Sequence, residues 1–224
     1  MNYLIYFLLM LILPVIAQLG VTLTYKKYSK VASSRGYTAE QVARQILDSN
    51  GLSHIRIERV HGNLSDHYSP NEGVVRLSDS VYGSRSIAAI GVAAHECGHA
   101  CQHAEQYAPM EMRSKIVPVV NICSQFWHIV FVIGLTMVNT PIVANIGIYM
   151  FLAVVVFQIV TLPTELNASY RAMRTLEGQY ILEAEEVPKA KKVLTAAAMT
   201  YVTALVTSLI HLLTLVMRVR GNDD

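Results

Sequence analysis

Four long apolar runs dominate the pattern of hydrophobic and polar positions along the chain. The first covers residues 3–25 and carries no charged side chain. The runs at 116–138 and 141–162 also lack Asp, Glu, Lys and Arg, and a fourth run covers 194–217. About 20 apolar residues are enough to cross the hydrocarbon core of a bilayer as a helix. The pattern therefore predicts four transmembrane helices, the second and third joined by a tight turn.

The segment between the first and second runs has the patterning of a small α+β fold. Thr38–Gln41 forms a capping box that opens a short amphipathic helix. Residues 55–60 alternate with period two, as a half-buried strand does, and 74–78 form a second predicted strand. The two strands are expected to make a hairpin or small sheet. A longer helix is predicted to start near residues 84–86 and to end at Pro109.

These elements predict a mainly α, integral membrane fold that forms a single domain over residues 1–224. An α+β insert is expected at 26–115, between the first and second spans. A further helix is expected over 164–193, between the third and fourth spans. Charge sets the orientation, because Lys and Arg near the ends of spans stay cytoplasmic. Lysines and arginines concentrate in 26–115 and 164–193, so both segments are predicted to face the cytoplasm. Arg218 and Arg220, beyond the fourth span, oppose this assignment.

The composition of the chain favours a membrane protein over a nucleic-acid-binding protein. Charged residues make up only 15% of the chain and hydrophobic residues 53%, whereas a soluble domain carries about 25% charged residues. The net charge is +2, and no basic run with interleaved aromatic residues occurs. Nucleic acid is therefore not an expected partner, whereas the lipid bilayer is.

The predicted long helix contains an H-E-x-x-H motif, formed by His95, Glu96 and His99. Two histidines four residues apart project from one helix face, one turn apart, so both imidazoles can bind a single zinc ion. Glu96 stands between them and can take a proton from a metal-activated water. The simpler interpretation is two histidines packed on a helix face near the membrane.

A catalytic zinc usually has three protein ligands, and three positions are considered for the third. A longer H-E-x-x-H-x-x-G-x-x-H motif fails, because Gln102 and Glu105 replace its last Gly and His. His103 lies one turn beyond His99, too far along a straight helix from His95 to share the ion. Glu165 follows the third span, and the orientation argument places it on the same membrane face as the motif. It is the preferred candidate.

Structural roles are expected for the cysteines and for the histidines inside the spans. The three cysteines, Cys97, Cys101 and Cys123, do not make a disulfide framework. Cys97 and Cys101, one helical turn apart, are expected to be small buried residues, with a redox or metal role as the alternative. His128 and His211 lie inside the predicted spans, where interhelical hydrogen bonds are expected for them.

The sequence resembles the YugP-like membrane zinc metallopeptidases of bacteria. The segments that carry the resemblance are AAHECGHACQH, DHYSPNEGVVRLSDSVYGSRS, LPTELNASYRA and AAAMTYVTAL, and the resemblance runs along most of the chain. A more distant likeness links the chain to the HtpX-type gluzincins and the prenyl-protein proteases, through H-E-x-x-H followed by E-x-x-A. The resemblance implies a zincin-like insert that carries the metal site.

In these relatives the glutamate of E-x-x-A is the third zinc ligand, which corresponds to Glu165 with Ala168 at the alanine. The HtpX-type pattern next has an Asp that orients a ligand histidine. This chain has Ser169 there, whose hydroxyl can still form a hydrogen bond, and Asn167 can assist.

The function implied is a zinc endopeptidase of the bacterial plasma membrane with one Zn²⁺ ion, a cytoplasmic active site, and a peptide or membrane-protein substrate. Arg171, Arg174, Tyr170 and His67 are the unranked candidates for stabilising the oxyanion. The layout of these relatives implies that substrate extends along an edge strand, expected here at 74–78.

Two other classes of protein remain as alternatives. One is a membrane protein that binds zinc without catalysis, as a sensor or scaffold, and it would tolerate the loss of Glu96. The other is a transporter with Asn121, His128 and His211 along its path, and its ion flux would survive the loss of His95.

Overall fold

The computed structural model describes residues 3–136 and 141–220, and this part of the chain is mainly helical with one small sheet. The helices are α1 (Tyr3–Tyr28), α2 (Ala39–Ser49), α3 (Ile87–Ala104), α4 (Ala108–Thr136), α5 (Pro141–Gly178) and α6 (Val187–Arg220). The strands are β1 (Arg56–Val60), β2 (His67–Ser69) and β3 (Val74–Ser78). Of the helices, α1, α4, α5 and α6 are long and apolar enough to cross a membrane. This confirms the prediction of four candidate spans; the predicted turn at residues 139–140 lies outside the described residues.

The helix expected over 164–193 is not a separate element. Helix α5 continues past Pro163 to Gly178 without a break, and α6 already begins at Val187. Proline removes one backbone donor, yet long membrane helices tolerate it where neighbouring groups satisfy the freed carbonyl. Glu165 therefore lies on the same continuous helix as the third predicted span.

The chain divides into two compact units, which are described separately. One consists of Ala17–Tyr107 and Thr164–Thr200, and is called the α+β unit below. The other, called the helical unit, contains α4 and the remaining parts of α1, α5 and α6 within the described residues.

The sheet of the α+β unit differs from the predicted hairpin. Its strand order is β1-β3-β2, with β1 parallel to β3 and β2 antiparallel to β3. Strand β2 lies in segment 61–73, which is rich in turn-forming residues and separates the two predicted strands. Three residues are too short for an alternating pattern to be recognised. The strand at 74–78 is consequently the central strand of the sheet, not an edge.

Helix α2 packs its apolar face into the core of the α+β unit. The Gln41 side chain accepts a hydrogen bond from the backbone N–H of Thr38 at 3.0 Å, as the capping box predicts. Val42, Ile46 and Leu47 are at most 2% exposed and form one cluster with residues of α3. Packing against α2 thus holds one side of the helix that carries the H-E-x-x-H motif.

Helix α3 begins after Ser86, whose hydroxyl accepts from the Ala89 N–H at 3.2 Å as an N-cap. The helix ends at Ala104, earlier than predicted, and Pro109 instead stands in the first turn of α4. This position costs little, because the first N–H groups of a helix have no intrahelical partner. Cys97 and Cys101 on α3 are free and buried, as expected for small core residues.

Two glycines allow α4 and α5 to approach closely in the helical unit. A Cβ atom added at Gly134 would lie 2.1 Å from the backbone nitrogen of Ala144, and one added at Gly147 would lie 2.7 Å from that of Phe131. Small residues at helix contacts are typical of membrane helices, where close packing replaces the hydrophobic effect.

One of the intramembrane histidines makes the interhelical contact expected of it. His211 shares a hydrogen bond with the hydroxyl of Tyr6, and the rings of Trp127 and Phe151 pack around it with centroids 5.3 and 5.0 Å away. The buried amide oxygen of Gln158, on the third predicted span, has no partner among the described residues. The contacts of His211 with Tyr6, Trp127 and Phe151 give it a role in packing these helices together.

Candidate metal centre

His95 and His99 lie one turn apart on α3, and Glu165 faces them from α5, within the α+β unit. The two imidazole rings are 4.7 Å apart between centroids and nearly perpendicular. One ligand atom from each of the three residues lies within 4.8 Å of the other two. The structure thus brings together the three side chains that the sequence analysis selected as metal ligands.

The separations of these atoms fit a tetrahedral zinc ion. Oε2 of Glu165 lies 3.3 Å from Nε2 of His95 and 3.5 Å from Nε2 of His99. Nitrogen and oxygen ligands at about 2.0–2.2 Å from a tetrahedral zinc are about 3.3–3.6 Å from one another. A direct ion pair between imidazolium and carboxylate is shorter, at about 2.7–2.9 Å. Two imidazoles and one carboxylate are also a donor set that zinc accepts in catalytic sites.

A glycine permits α3 to come close enough to α5 for this arrangement. Gly98 lies between the two histidines, and a Cβ atom there would be 2.7 Å from the carbonyl oxygen of Ala168 and 3.2 Å from its Cα. Backbone atoms cannot swing aside as a flexible side chain can. Any larger residue at 98 would therefore push apart the two helices that carry the candidate ligands.

The candidate centre is buried, and the Nε2 atoms of its two histidines face the carboxylate of Glu165. Glu165 is only 3% exposed, so its carboxylate depends on polar neighbours in place of water. Burial lowers the pKa of His99, but the nearby carboxylate of Glu165 and the charge of Glu96 outweigh it, and the pKa is raised. A site that draws positive charge onto a histidine is suited to binding a cation.

Each histidine is held through its Nδ1 atom, which leaves Nε2 directed at Glu165. Nδ1 of His95 lies 3.1 Å from the hydroxyl of Ser169. This is the residue that replaces the orienting Asp of the more distant relatives, and the contact agrees with the expectation that its hydroxyl can form a hydrogen bond. Because a hydroxyl both donates and accepts, Ser169 positions the ring without dictating its tautomer.

Gln102 holds His99, and the sequence analysis missed this role. Its Oε1 lies 2.9 Å from Nδ1 of His99, while its Nε2 donates to the carbonyl of Thr164 at 2.8 Å and to Oδ1 of Asn167 at 2.9 Å. Gln102 is fully buried. Its place three residues after His99 on the same helix was the available signal, but the residue was considered only as a mismatch to a longer motif.

The hydrogen bonds of Gln102 determine which nitrogen of His99 carries the proton. The Thr164 carbonyl can only accept, so the amide nitrogen of Gln102 must face it and the amide oxygen must face His99. That oxygen can only accept, so Nδ1 of His99 carries the hydrogen. In a neutral ring the lone pair is then on Nε2, the atom directed at Glu165.

Arg171 and Glu105 extend this chain of hydrogen bonds. Nε of Arg171 donates to Oδ1 of Asn167 at 2.7 Å, and its two terminal nitrogens each bind a Glu105 oxygen at 2.7 Å. Arginine is always a donor, so it orients the Asn167 oxygen and, through it, the Gln102 amide. These bonds give Arg171 a positioning role, which separates it from the other oxyanion candidates.

Glu96, the predicted general base, stands between His95 and His99 in the sequence of α3. It is 8% exposed, and its carboxylate has no hydrogen bond or ion pair within residues 3–136 and 141–220. Its negative charge contributes to the raised pKa of His99.

His103 is not part of the cluster. Its Nδ1 shares a hydrogen bond of 3.0 Å with the hydroxyl of Tyr68 on β2. The contact joins α3 to the sheet and gives His103 a structural role.

The remaining oxyanion candidates have no contact with the three-residue centre in the part of the chain that the structure describes. Tyr170 is 63% exposed, Arg174 is exposed, and Nδ1 of His67 bonds the Ser65 carbonyl at 2.9 Å.

Comparison with known proteins identifies the family. Residues 3–220 match the model of a family described as "Putative neutral zinc metallopeptidase". The chain is also 44% identical over 209 residues to the "Putative membrane protease YugP" of Bacillus subtilis (strain 168), covering 93% of this chain and 92% of that protein. No solved structure matches. The match to nearly the whole chain and the identity to a full-length relative agree, and the chain belongs to this zinc metallopeptidase family.

Proposed function

We propose that this protein is a membrane-embedded zinc endopeptidase, with His95, His99 and Glu165 holding one Zn²⁺ ion and Glu96 acting as general base. The observation that carries the proposal is the spacing of the three ligand atoms. Glu165 Oε2 is 3.3 and 3.5 Å from the two Nε2 atoms, the edge length of a zinc tetrahedron and too long for a close ion pair.

The three candidate ligands would leave one coordination position of a zinc ion open. Zinc bound there supplies a Lewis acid that lowers the pKa of a water and polarises the scissile carbonyl. Three protein ligands leave a fourth position for water or substrate, as in catalytic zinc sites. A structural site would instead be closed by a fourth protein ligand, and none is found among the described residues.

Glu96 moves the protons of the reaction. Its carboxylate, which has no hydrogen-bond or ion-pair partner among the described residues, accepts a proton from the attacking water as the water oxygen bonds to the carbonyl carbon. The same carboxyl group then donates that proton to the departing amine as the C–N bond breaks. Gln102 and Ser169 meanwhile keep the two imidazole rings in place, so the geometry is set before substrate binds.

We infer that substrate binds beside β2 rather than along the strand at 74–78. Strand β3 is paired on both sides, whereas β2 pairs with β3 on one side only. The bond between Tyr68 and His103 places β2 next to the helix that carries the motif. An extended peptide can add to the free edge of β2 by main-chain hydrogen bonds, which suits a protease that cleaves unfolded segments.

The active site is proposed to face the cytoplasm of a bacterial cell, from the plasma membrane. The basis is the concentration of Lys and Arg in residues 26–115 and 164–193, which flank the candidate spans. Substrates would then be peptides or membrane-protein segments on the cytoplasmic side.

Two measurements on the purified full chain in detergent test the proposal. Metal analysis should find one zinc per chain, and a fluorogenic peptide library should be cleaved at internal bonds. Stripping the metal with a chelator should abolish cleavage, and adding Zn²⁺ should restore it. Stoichiometric zinc with no cleavage of any peptide or membrane-protein substrate would favour a sensor or scaffold, and absence of zinc would reject the proposal.

A further inference from the structure

A groove in the α+β unit lies away from the metal centre, between the C-terminal end of α1 and the beginning of α6. Its volume is about 680 Å³. The residues that line it are Leu23, Thr24, Lys27, Tyr28, Pro188, Lys191, Lys192, Thr195 and Ala196. The proposed protease mechanism uses none of them.

The groove carries positive charge without a counter-charge. Three of its lining residues are lysines, and no Asp or Glu lines it. Lys27, Lys191 and Lys192 make no ion pair in the described part of the chain, whereas Arg35 and Arg171 of the same unit bind Glu183 and Glu105 at 2.8 and 2.7 Å. The three ammonium groups are therefore available for an anionic ligand.

Part of the groove is apolar, and this apolar surface continues along α1. Leu23 is 63% exposed and Leu19, one turn earlier, is 52% exposed. Both belong to the candidate span Leu4–Tyr28, which ends at the lysine side of the groove. Apolar surface that leads into a cluster of lysines matches a ligand with a hydrocarbon chain and a negatively charged head.

We propose that this groove binds one anionic phospholipid, with its phosphate among Lys27, Lys191 and Lys192 and an acyl chain along Leu19 and Leu23. The position at the end of a candidate span favours a lipid over a soluble anion, because α1 supplies Leu19, Leu23 and Lys27 in succession and α6 adds the other two lysines. Basic pockets between membrane helices are known to take lipid headgroups, and each lysine near an anionic surface contributes roughly fivefold in affinity. Three lysines contribute roughly 100-fold.

The chain offers a matched control for this proposal. Lys26, Lys30 and Lys189 lie at the same ends of α1 and α6, but none of them lines the groove. Replacing these three lysines removes the same number of positive charges from the same region. A general attraction between basic residues and anionic lipid would depend on both sets alike, whereas a defined site depends on the groove set alone.

The experiment uses the purified full chain in a neutral detergent, titrated with phosphatidylglycerol or phosphatidylcholine, with bound lipid counted by native mass spectrometry. The wild-type protein should retain one phosphatidylglycerol at least tenfold more tightly than phosphatidylcholine. The triple variant Lys27→Gln, Lys191→Gln, Lys192→Gln should lose about 100-fold in affinity. The control variant Lys26→Gln, Lys30→Gln, Lys189→Gln should lose less than threefold. Gel filtration and helical circular dichroism establish that each variant is folded.

A variant that keeps every charge tests the shape of the groove. Ala196→Trp fills the groove, and it should reduce phosphatidylglycerol retention as strongly as the groove triple variant does. Equal losses in the two triple variants, or no preference for phosphatidylglycerol in the wild-type protein, would overturn the proposal. Displacement of the lipid by millimolar inorganic phosphate would also overturn it, since the occupant would then be a soluble anion.

Discussion

Nδ1 of His99 donates a hydrogen bond to Oε1 of the fully buried Gln102 at 2.9 Å. The amide of Gln102 cannot turn over, because its nitrogen is bound to the Thr164 carbonyl and to Asn167. One buried amide thus sets both the orientation of His99 and the nitrogen that faces the candidate metal position.

Replacing Gln102 by Met should weaken zinc binding about 10- to 100-fold, the usual effect of removing a group that orients a metal ligand. Methionine is similar in length but cannot accept from His99 or donate to Thr164. Zinc affinity measured by competition with a chromophoric chelator checks this. Gln45→Met on the exposed face of α2 is the control and should bind zinc as the wild-type protein does. Wild-type affinity in Gln102→Met would show that His99 needs no such partner.

Gly98→Ala should separate α3 from α5 and damage the centre. Its new Cβ would lie 2.7 Å from a backbone oxygen, and overpacking of this kind costs about 1–3 kcal/mol in the free energy of unfolding. Gly91→Ala on the same helix is the control, since its Cβ would stand 3.7 Å from Ala190 Cβ, an ordinary contact. That variant should be neutral or more stable by up to about 1 kcal/mol.

Thermal unfolding and zinc affinity should both decline in Gly98→Ala and not in Gly91→Ala. If the two variants behave alike, the close approach of α3 to Ala168 does not control the metal geometry.

Glu165→Ala should lower zinc affinity strongly, whereas His103→Ala should not. Glu165 places an oxygen 3.3 Å from Nε2 of His95, while His103 bonds Tyr68 instead. Glu165→Asp should keep some metal but lose activity, because the shorter arm moves the oxygen by about an ångström. Chelator competition on all three variants distinguishes the residues. Lost affinity in His103→Ala with wild-type affinity in Glu165→Ala would reverse the assignment.

Residues 26–115 and 164–193 should lie on the same, cytoplasmic side of the membrane. Single cysteines at the exposed positions Ser34 and Glu177, in a background with the three native cysteines replaced by serine, should resist a membrane-impermeant maleimide in intact cells. Both should react after permeabilisation. A cysteine at position 140, between the second and third spans, should react in intact cells. Labelling of Ser34→Cys or Glu177→Cys before permeabilisation would contradict this topology.

Much of the candidate site was predictable because local patterns carried it. The spacing of His95 and His99 follows from helix geometry, and Glu165 followed from charge bias and span length, although it lies on α5 itself rather than on a separate helix. Gln102 could not be found in this way. A glutamine one turn from a histidine becomes significant only when a second helix supplies Thr164 and Asn167.

The sheet was less predictable for a physical reason. Alternation identified β1, and 74–78 was predicted as a second strand, but neither pattern distinguishes parallel from antiparallel neighbours, so the parallel pairing and the central place of β3 were missed. The three residues of β2 pair with Val74–Arg76 through contacts that no local pattern encodes.

The replacement of Glu96 by Gln tests the central claim most directly, because it separates metal binding from catalysis. The amide keeps the size of the side chain, cannot accept the proton of the attacking water, and leaves His95, His99 and Glu165 intact. Zinc content by atomic absorption and turnover of a fluorogenic peptide are measured on the same purified sample. The account predicts one zinc per chain, as in the wild-type protein, with turnover reduced at least about 100-fold. Retention of more than about a tenth of wild-type turnover by zinc-loaded Glu96→Gln would contradict it, since general-base catalysis supplies about 10²–10⁴-fold.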